Sequence, residues 1–237
     1  MSSADRNQGI TLAQAAMIAG YSLLLMMILS SVAEIYIYPT LVVPDQIEQT
    51  IANLLANNSL FVAGILCYVI TFIGDVVVAW ALYILLRPVN PSVSLLAGWF
   101  RLVHAVIALA ALIDFATVQR VLSTPNHQIV FGSDRLHPEL MLLIHSFRYG
   151  WGISLVFFGI HLGLLGYLVY KSSYIPKFIG IVLFIAGVCY VIYNLSPYLF
   201  PGIRLDYLLI TFLGELIFIV WLVIRASTLR EANSLKH

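Results

Sequence analysis

The chain has 237 residues, of which 61% are hydrophobic and 10% charged, with a net charge of +1 and a mean hydropathy of +0.97. Soluble domains average roughly 45–50% apolar and about 25% charged residues, so this composition excludes a water-soluble globule, a disordered chain and a nucleic-acid binder built on a basic patch. The two cysteines, Cys67 and Cys189, lie in apolar runs and offer no disulfide framework.

A membrane-spanning helix needs about 20 predominantly apolar residues. Six stretches qualify, at roughly 14–38, 60–86, 94–121, 139–170, 176–198 and 206–225. The expected fold is therefore all-α: one polytopic helical domain over residues 1–237 with six transmembrane helices. In the first stretch, Ser31-Val32-Ala33 has the small-x-small form of a cleavage site. A mature chain starting at Glu34 is the alternative there, although only one arginine precedes the run. After it, Ile47, Ile51, Leu54 and Leu55 recur at helical spacing and predict a short surface helix at about 45–57. Asp45 and Glu48 make that helix a poor partner for anionic lipid.

The prolines fall in five groups, one for each connection: Pro39 and Pro44, Pro88 and Pro91, Pro125 and Pro138, Pro176, then Pro197 and Pro201. Lysine and arginine placement sets the orientation. With the N-terminus inside, Arg6, Arg87, Lys171, Lys177, Arg225, Arg230 and Lys236 share the inner side, against Arg120, Arg135 and Arg204 outside. Both termini are expected in the cytoplasm. Leu82 to Gly98 and Tyr167 to Gly180 repeat one pattern of apolar helix, basic residue, proline turn and small-residue start, which fits an internal duplication or a generic inner hairpin.

Ionisable groups inside spans are costly and face protein or a cavity. By helical rise, Asp75, Arg101, His104, His161 and Glu215 lie within about 10 Å of the midplane, whereas Glu34, Asp114, His145 and Arg148 lie in the outer half. Asp75 shares a helix face with Gly64, Tyr68, Thr71 and Ala79; Arg101 shares one with Ala97, Gly98, Ala105 and Ala108. Pairing Asp75 with Arg101 is the simplest electrostatic account. His145, with Arg148 three residues on, is expected to meet Glu34 or Asp114 near the outer surface. Gly152, Gly159, Gly163 and Gly166 form a stripe on the fourth helix; Gly159 and Gly163 suit self-association between helices. These charges serve either as ties between helices or as a site.

No H-E-x-x-H motif, nucleophile elbow, G-x-G-D pattern, Walker motif or dinucleotide fingerprint occurs. No cofactor or metal is assigned. His104, His161 and Asp75 leave zinc open as an alternative, and the two histidines leave haem open.

The runs Asp75 to Asn90, Phe100 to Val103, Val156 to Gly180 and Ala186 to Tyr190 resemble the bacterial membrane proteins grouped as domain of unknown function 4386. The resemblance extends from the first helix to the start of the sixth. It implies a multi-pass protein of the bacterial inner (plasma) membrane, of this size, and marks Asp75, Arg101, His145, His161 and Tyr190 as pattern positions, but not His104. No activity comes with it. The expected function is to bind or transport a small molecule or lipid through a polar intramembrane pocket, with membrane lipids as partners and no nucleic acid. Asp75 and Arg101 would form its base, Glu34, His145 and Arg148 its mouth, and His161 and Tyr190 complete the set. The alternatives are an intramembrane enzyme with a His/Asp centre and a non-catalytic stress-response or assembly partner.

Overall fold

The computed structural model describes residues 9–124, 133–199, 202, 203, 205, 208 and 212–229. All regular structure among them is helical. We label the helices α1 (Leu12–Leu41), α2 (Ile47–Ala56), α3 (Asn58–Leu86), α4 (Pro91–Leu122), α5 (Ser133–Lys171), α6 (Lys177–Leu199) and α7 (Leu213–Arg225). Five of these, α1, α3, α4, α5 and α6, are long and apolar enough to cross a membrane. The expected sixth stretch, 206–225, is described from Phe212 onward and holds the 13-residue α7; much of 206–211 lies outside the described residues, as do Pro125, Pro201, Arg6, Arg204, Arg230 and Lys236.

Two of the expected span limits move, those at Pro39 and Pro138, because prolines sit inside helices rather than between them. α1 starts from a capping box, in which Thr11 accepts from the Gln14 amide while the Gln14 side chain accepts from Thr11. It continues past Pro39 to Leu41 through a widened π turn at Val32–Ile37. A proline ring crowds the carbonyl four residues back and has no N–H to offer it. The wider turn relieves that crowding at Ile35, and the Tyr38 amide donates to the Ala33 carbonyl five residues back. α5 begins at Ser133 and takes Pro138 into its second turn. α6 takes Pro197 near its end. There the Ser196 hydroxyl donates to the Tyr193 carbonyl at 2.7 Å, which is the carbonyl Pro197 cannot serve.

The long helices pack as a closed cycle: α1 against α3, then α4, α5, α6 and α7, and α7 back against α1. The tightest approach joins α5 to α6. A Cβ at Gly159 would stand 2.7 Å from the Gly187 carbonyl oxygen, and one at Gly166 would stand 2.6 Å from that of Gly180. Only glycine permits such contact. The glycine stripe is thus occupied by α6 of the same chain.

Two apolar clusters fill the bundle. One lies at the end carrying the tight turns at 87–90 and 172–176 (the turn end) and includes Leu85, Leu168, Ile179 and Leu222. The other lies toward α2 and includes Leu41, Leu54, Phe61, Phe115 and Phe147. α2 buries Thr50, Ile51 and Leu54 against that second cluster and leaves Leu55 exposed. Most of the buried polar side chains lie between the two clusters.

Candidate functional site

Small residues on α3 and α4 bring their backbones together around one ion pair. Arg101 Nη2 donates to Asp75 Oδ1 at 2.8 Å, with each residue 2% exposed. Arg101 Nη1 donates to His161 Nε2 at 3.1 Å, and His161 Nδ1 meets the Ala97 carbonyl at 2.8 Å. A guanidinium only donates and a carbonyl only accepts, so His161 is the neutral tautomer with its proton on Nδ1. His104 Nδ1 donates to the Ser154 carbonyl at 3.0 Å, which leaves Nε2 3.8 Å from Asp75 Oδ2. The Arg101 guanidinium also lies 5.4 Å from the Phe158 ring centre. Glu215 of α7 completes the layer beside the Tyr190 hydroxyl, within the electrostatic reach of Arg101 and Asp75. Two buried atoms here have no protein partner among the described residues, Arg101 Nε and Glu215 Oε1.

A second polar group sits nearer α2. The π turn of α1 presents Glu34, whose carboxylate accepts from Arg148 Nη1 at 2.8 Å and from the Tyr68 hydroxyl at 2.5 Å. The Arg148 guanidinium rests over Tyr38, 4.8 Å from its ring centre. Arg148 also walls a cavity of about 650 Å³ between α5 and α6, with Gly152, Ile153, Asn194, Ser196 and Tyr198 among its lining. Tyr149 and Tyr198, at 65% and 63% exposure, flank its opening.

A family model described as "Domain of unknown function (DUF4386)" matches residues 18–226. The chain belongs to this family. An Archaeoglobus fulgidus protein described as "Uncharacterized protein" is 38% identical over 161 residues, covering 68% of this chain and 82% of that one. No solved structure matches the chain. Both polar groups of this DUF4386 protein lie inside the matched region, and its function is unknown.

The expected site residues divide between the two groups. Asp75, Arg101, His161 and Tyr190 meet in the mid-bundle layer, while Glu34 and Arg148 meet at the cavity. Asp75 and Arg101 do not line the cavity; they are sealed beneath it. His145 joins neither group. It is exposed, with its ring 6.4 Å from that of Tyr149. Asp114 accepts instead from the Ser146 hydroxyl at 2.5 Å. The zinc and haem alternatives do not fit this arrangement: both His161 nitrogens are engaged, one of them with a cation, and His104 Nδ1 is committed to a carbonyl. Among the described residues, no cluster of three His, Cys, Asp or Glu side chains is arranged to hold a metal.

Three contributors were not assigned roles from the sequence. Tyr68 was placed on the Asp75 face, but its hydroxyl reaches Glu34 on another helix. Tyr38, at the end of the π turn and four residues after Glu34, lies under Arg148. His137 Nδ1 donates to Glu48 Oε1 at 2.9 Å and so ties α5 to α2. Nothing in the sequence signals that last pair, because the Glu48 side chain is 81% exposed and water satisfies its carboxylate.

Proposed function

We propose that this membrane protein binds, and passes between the two sides of the membrane, a small amphiphile with an anionic headgroup, and that the cavity between α5 and α6 is its site. The observation that carries this is the placement of Arg148 in the cavity wall. Glu34 and Tyr38 hold the guanidinium in position, yet 38% of the Arg148 side chain stays open. The rest of the wall is mixed, with Asn194 and Ser196 suited to a headgroup and Ile153, Tyr198 and Ile203 suited to an acyl chain or ring. Asn194 Nδ2 donates to the Tyr190 carbonyl at 2.9 Å, so one helical turn, about 5.4 Å, connects the cavity wall to the mid-bundle layer.

In this reading the chain spans six times, with α7 as the inner half of the sixth span. Both termini face the cytoplasm. Arg87, Lys171, Lys177 and Arg225 flank the turn end, and that distribution supports the orientation. The membrane is the cell's plasma membrane.

Binding of a fluorescent phosphatidylglycerol to the purified full chain tests the site, with phosphatidylcholine and inorganic phosphate as competitors. Arg148→Gln removes the anchor. Gly152→Leu fills the cavity from a position where a Cβ meets only Asn194 Oδ1, at 3.6 Å. Each variant is expected to lose about tenfold in affinity, the effect of roughly 1.4 kcal/mol. Competition by phosphatidylcholine equal to that by phosphatidylglycerol, or wild-type binding in both variants, would overturn the proposal.

A further inference from the structure

We infer that the mid-bundle layer is a one-proton site, with Glu215 as the seat of an exchangeable proton and His104 Nε2 as the nearest second seat. The inference does not depend on the cavity beside Arg148. It rests on charge, burial and unused hydrogen-bonding capacity.

Among the described residues the layer contains two carboxyl groups, Asp75 and Glu215, and one guanidinium, Arg101. His161 is neutral, because it accepts from Arg101 and donates to Ala97. With both carboxyls ionised the layer would carry one uncompensated negative charge between two apolar clusters. Isolated charge in such surroundings costs several kcal/mol, and a single proton removes it. The two carboxyls are not equivalent seats. Asp75 holds Arg101 at 2.8 Å and so keeps its negative charge. Glu215 is half-buried, and its Oε1 is buried with no protein partner among the described residues, which marks it as the oxygen free to carry hydrogen.

The groups facing Glu215 come from several helices. α6 presents the Tyr190 hydroxyl, α4 presents Arg101 and α3 presents Asp75. His161 of α5 stands behind Arg101 and is committed to it. On α1, which also packs against α7, Tyr21 is exposed and Glu34 is paired with Arg148. His104 Nε2, 3.8 Å from Asp75 Oδ2, is the other position where one proton would balance the layer. Moving the proton from Glu215 to His104 leaves the total charge unchanged. It passes charge between α7 and α4 while the Asp75–Arg101 pair stays in place. Such a layer can couple proton occupancy to the packing of α7.

The test uses the full chain in lipid vesicles and pH-difference infrared spectroscopy. The expected spectrum contains a protonated-carboxyl carbonyl band that moves on 13C-glutamate labelling and not on 13C-aspartate labelling. Glu215→Gln should abolish the band and flatten the dependence of thermal stability on pH, while keeping the stability the wild type shows at its acid end. Should the variant fail to fold, the labelled wild-type spectrum decides alone. A band that follows the aspartate label, no such band in the wild type, or an undiminished pH dependence in Glu215→Gln overturns the inference. So does stabilisation by sodium that requires Glu215 and comes without a carboxyl band, since the charge would then be supplied by a metal cation.

Discussion

The two polar groups contain the same pair, a carboxylate and a guanidinium 2.8 Å apart, in opposite surroundings. Asp75 and Arg101 expose 2–3% of their side chains, whereas Arg148 and Glu34 expose 38% and 26%. The mid-bundle pair has an extra acid beside it and carries unpartnered polar atoms. The pair near α2 is balanced in charge, and Tyr68 and Tyr38 complete its shell. The comparison teaches that contact geometry does not set the role of an ion pair. Desolvation makes the first pair an obligatory unit, while partial exposure leaves the second open to solvent.

The most damaging way to break the mid-bundle side is Arg101→Met, which leaves Asp75 charged and buried. The expected loss is about 3–5 kcal/mol in unfolding free energy, measured by denaturation in detergent, and Asp75→Leu added to it should recover most of the loss. A double variant no more stable than the single one would show that the pair does more than neutralise itself. Next in size is Tyr68→Phe. It removes a hydrogen bond to a carboxylate from a tyrosine 1% exposed and should cost about 1.5–3 kcal/mol. Arg148→Gln should cost less, about 1 kcal/mol or under, because water can reach the carboxylate it leaves behind. If Arg148→Gln proves as costly as Arg101→Met, the distinction between the two groups fails. Packing gives a control independent of charge. Gly159→Ala should destabilise by about 1–3 kcal/mol through its clash with Gly187, while Gly163→Ala, with nothing within 4 Å of its new Cβ, should be near neutral.

The smallest expected effect lies in the turn between α5 and α6. The Tyr174 hydroxyl donates to the Leu85 carbonyl at 2.6 Å, and burial pushes its pKa up from 10.0 to about 12. The folded state therefore holds the phenolic proton more tightly than the unfolded chain. The associated stability is fully present below pH 10 and declines as pH rises through about 12. Tyr174→Phe should flatten the stability curve in that window, and an unchanged curve would assign the alkaline loss to other groups.

The mid-bundle layer was legible from sequence in good part. Depth along each helix placed Asp75, Arg101, His104, His161 and Glu215 at one level, and the cost of lone charges pointed to the Asp75–Arg101 pair. What periodicity could not supply was azimuth between helices. His145 and Arg148 lie three residues apart on α5, yet one is exposed and the other reaches Glu34. The π turn of α1 was hidden for a local reason. A π turn offsets every later residue from α-helical register, and the Pro39 that calls for it reads equally well as a helix end.

The sequence alone determined that the chain is built for a membrane, placed five of the six expected spans as helices long enough to cross it, and showed which residues carry charge into the apolar interior. Those properties follow from composition and rise per residue, and both are local. Only the tertiary structure decided that the expected single pocket is two separate places, and that the glycine stripe of α5 is spent on α6. It also decided that Arg101 has one acid as partner and a second acid nearby. Those depend on how the cycle of helices closes, because charges at equal depth on different helices meet or miss according to rotations that no single helix encodes.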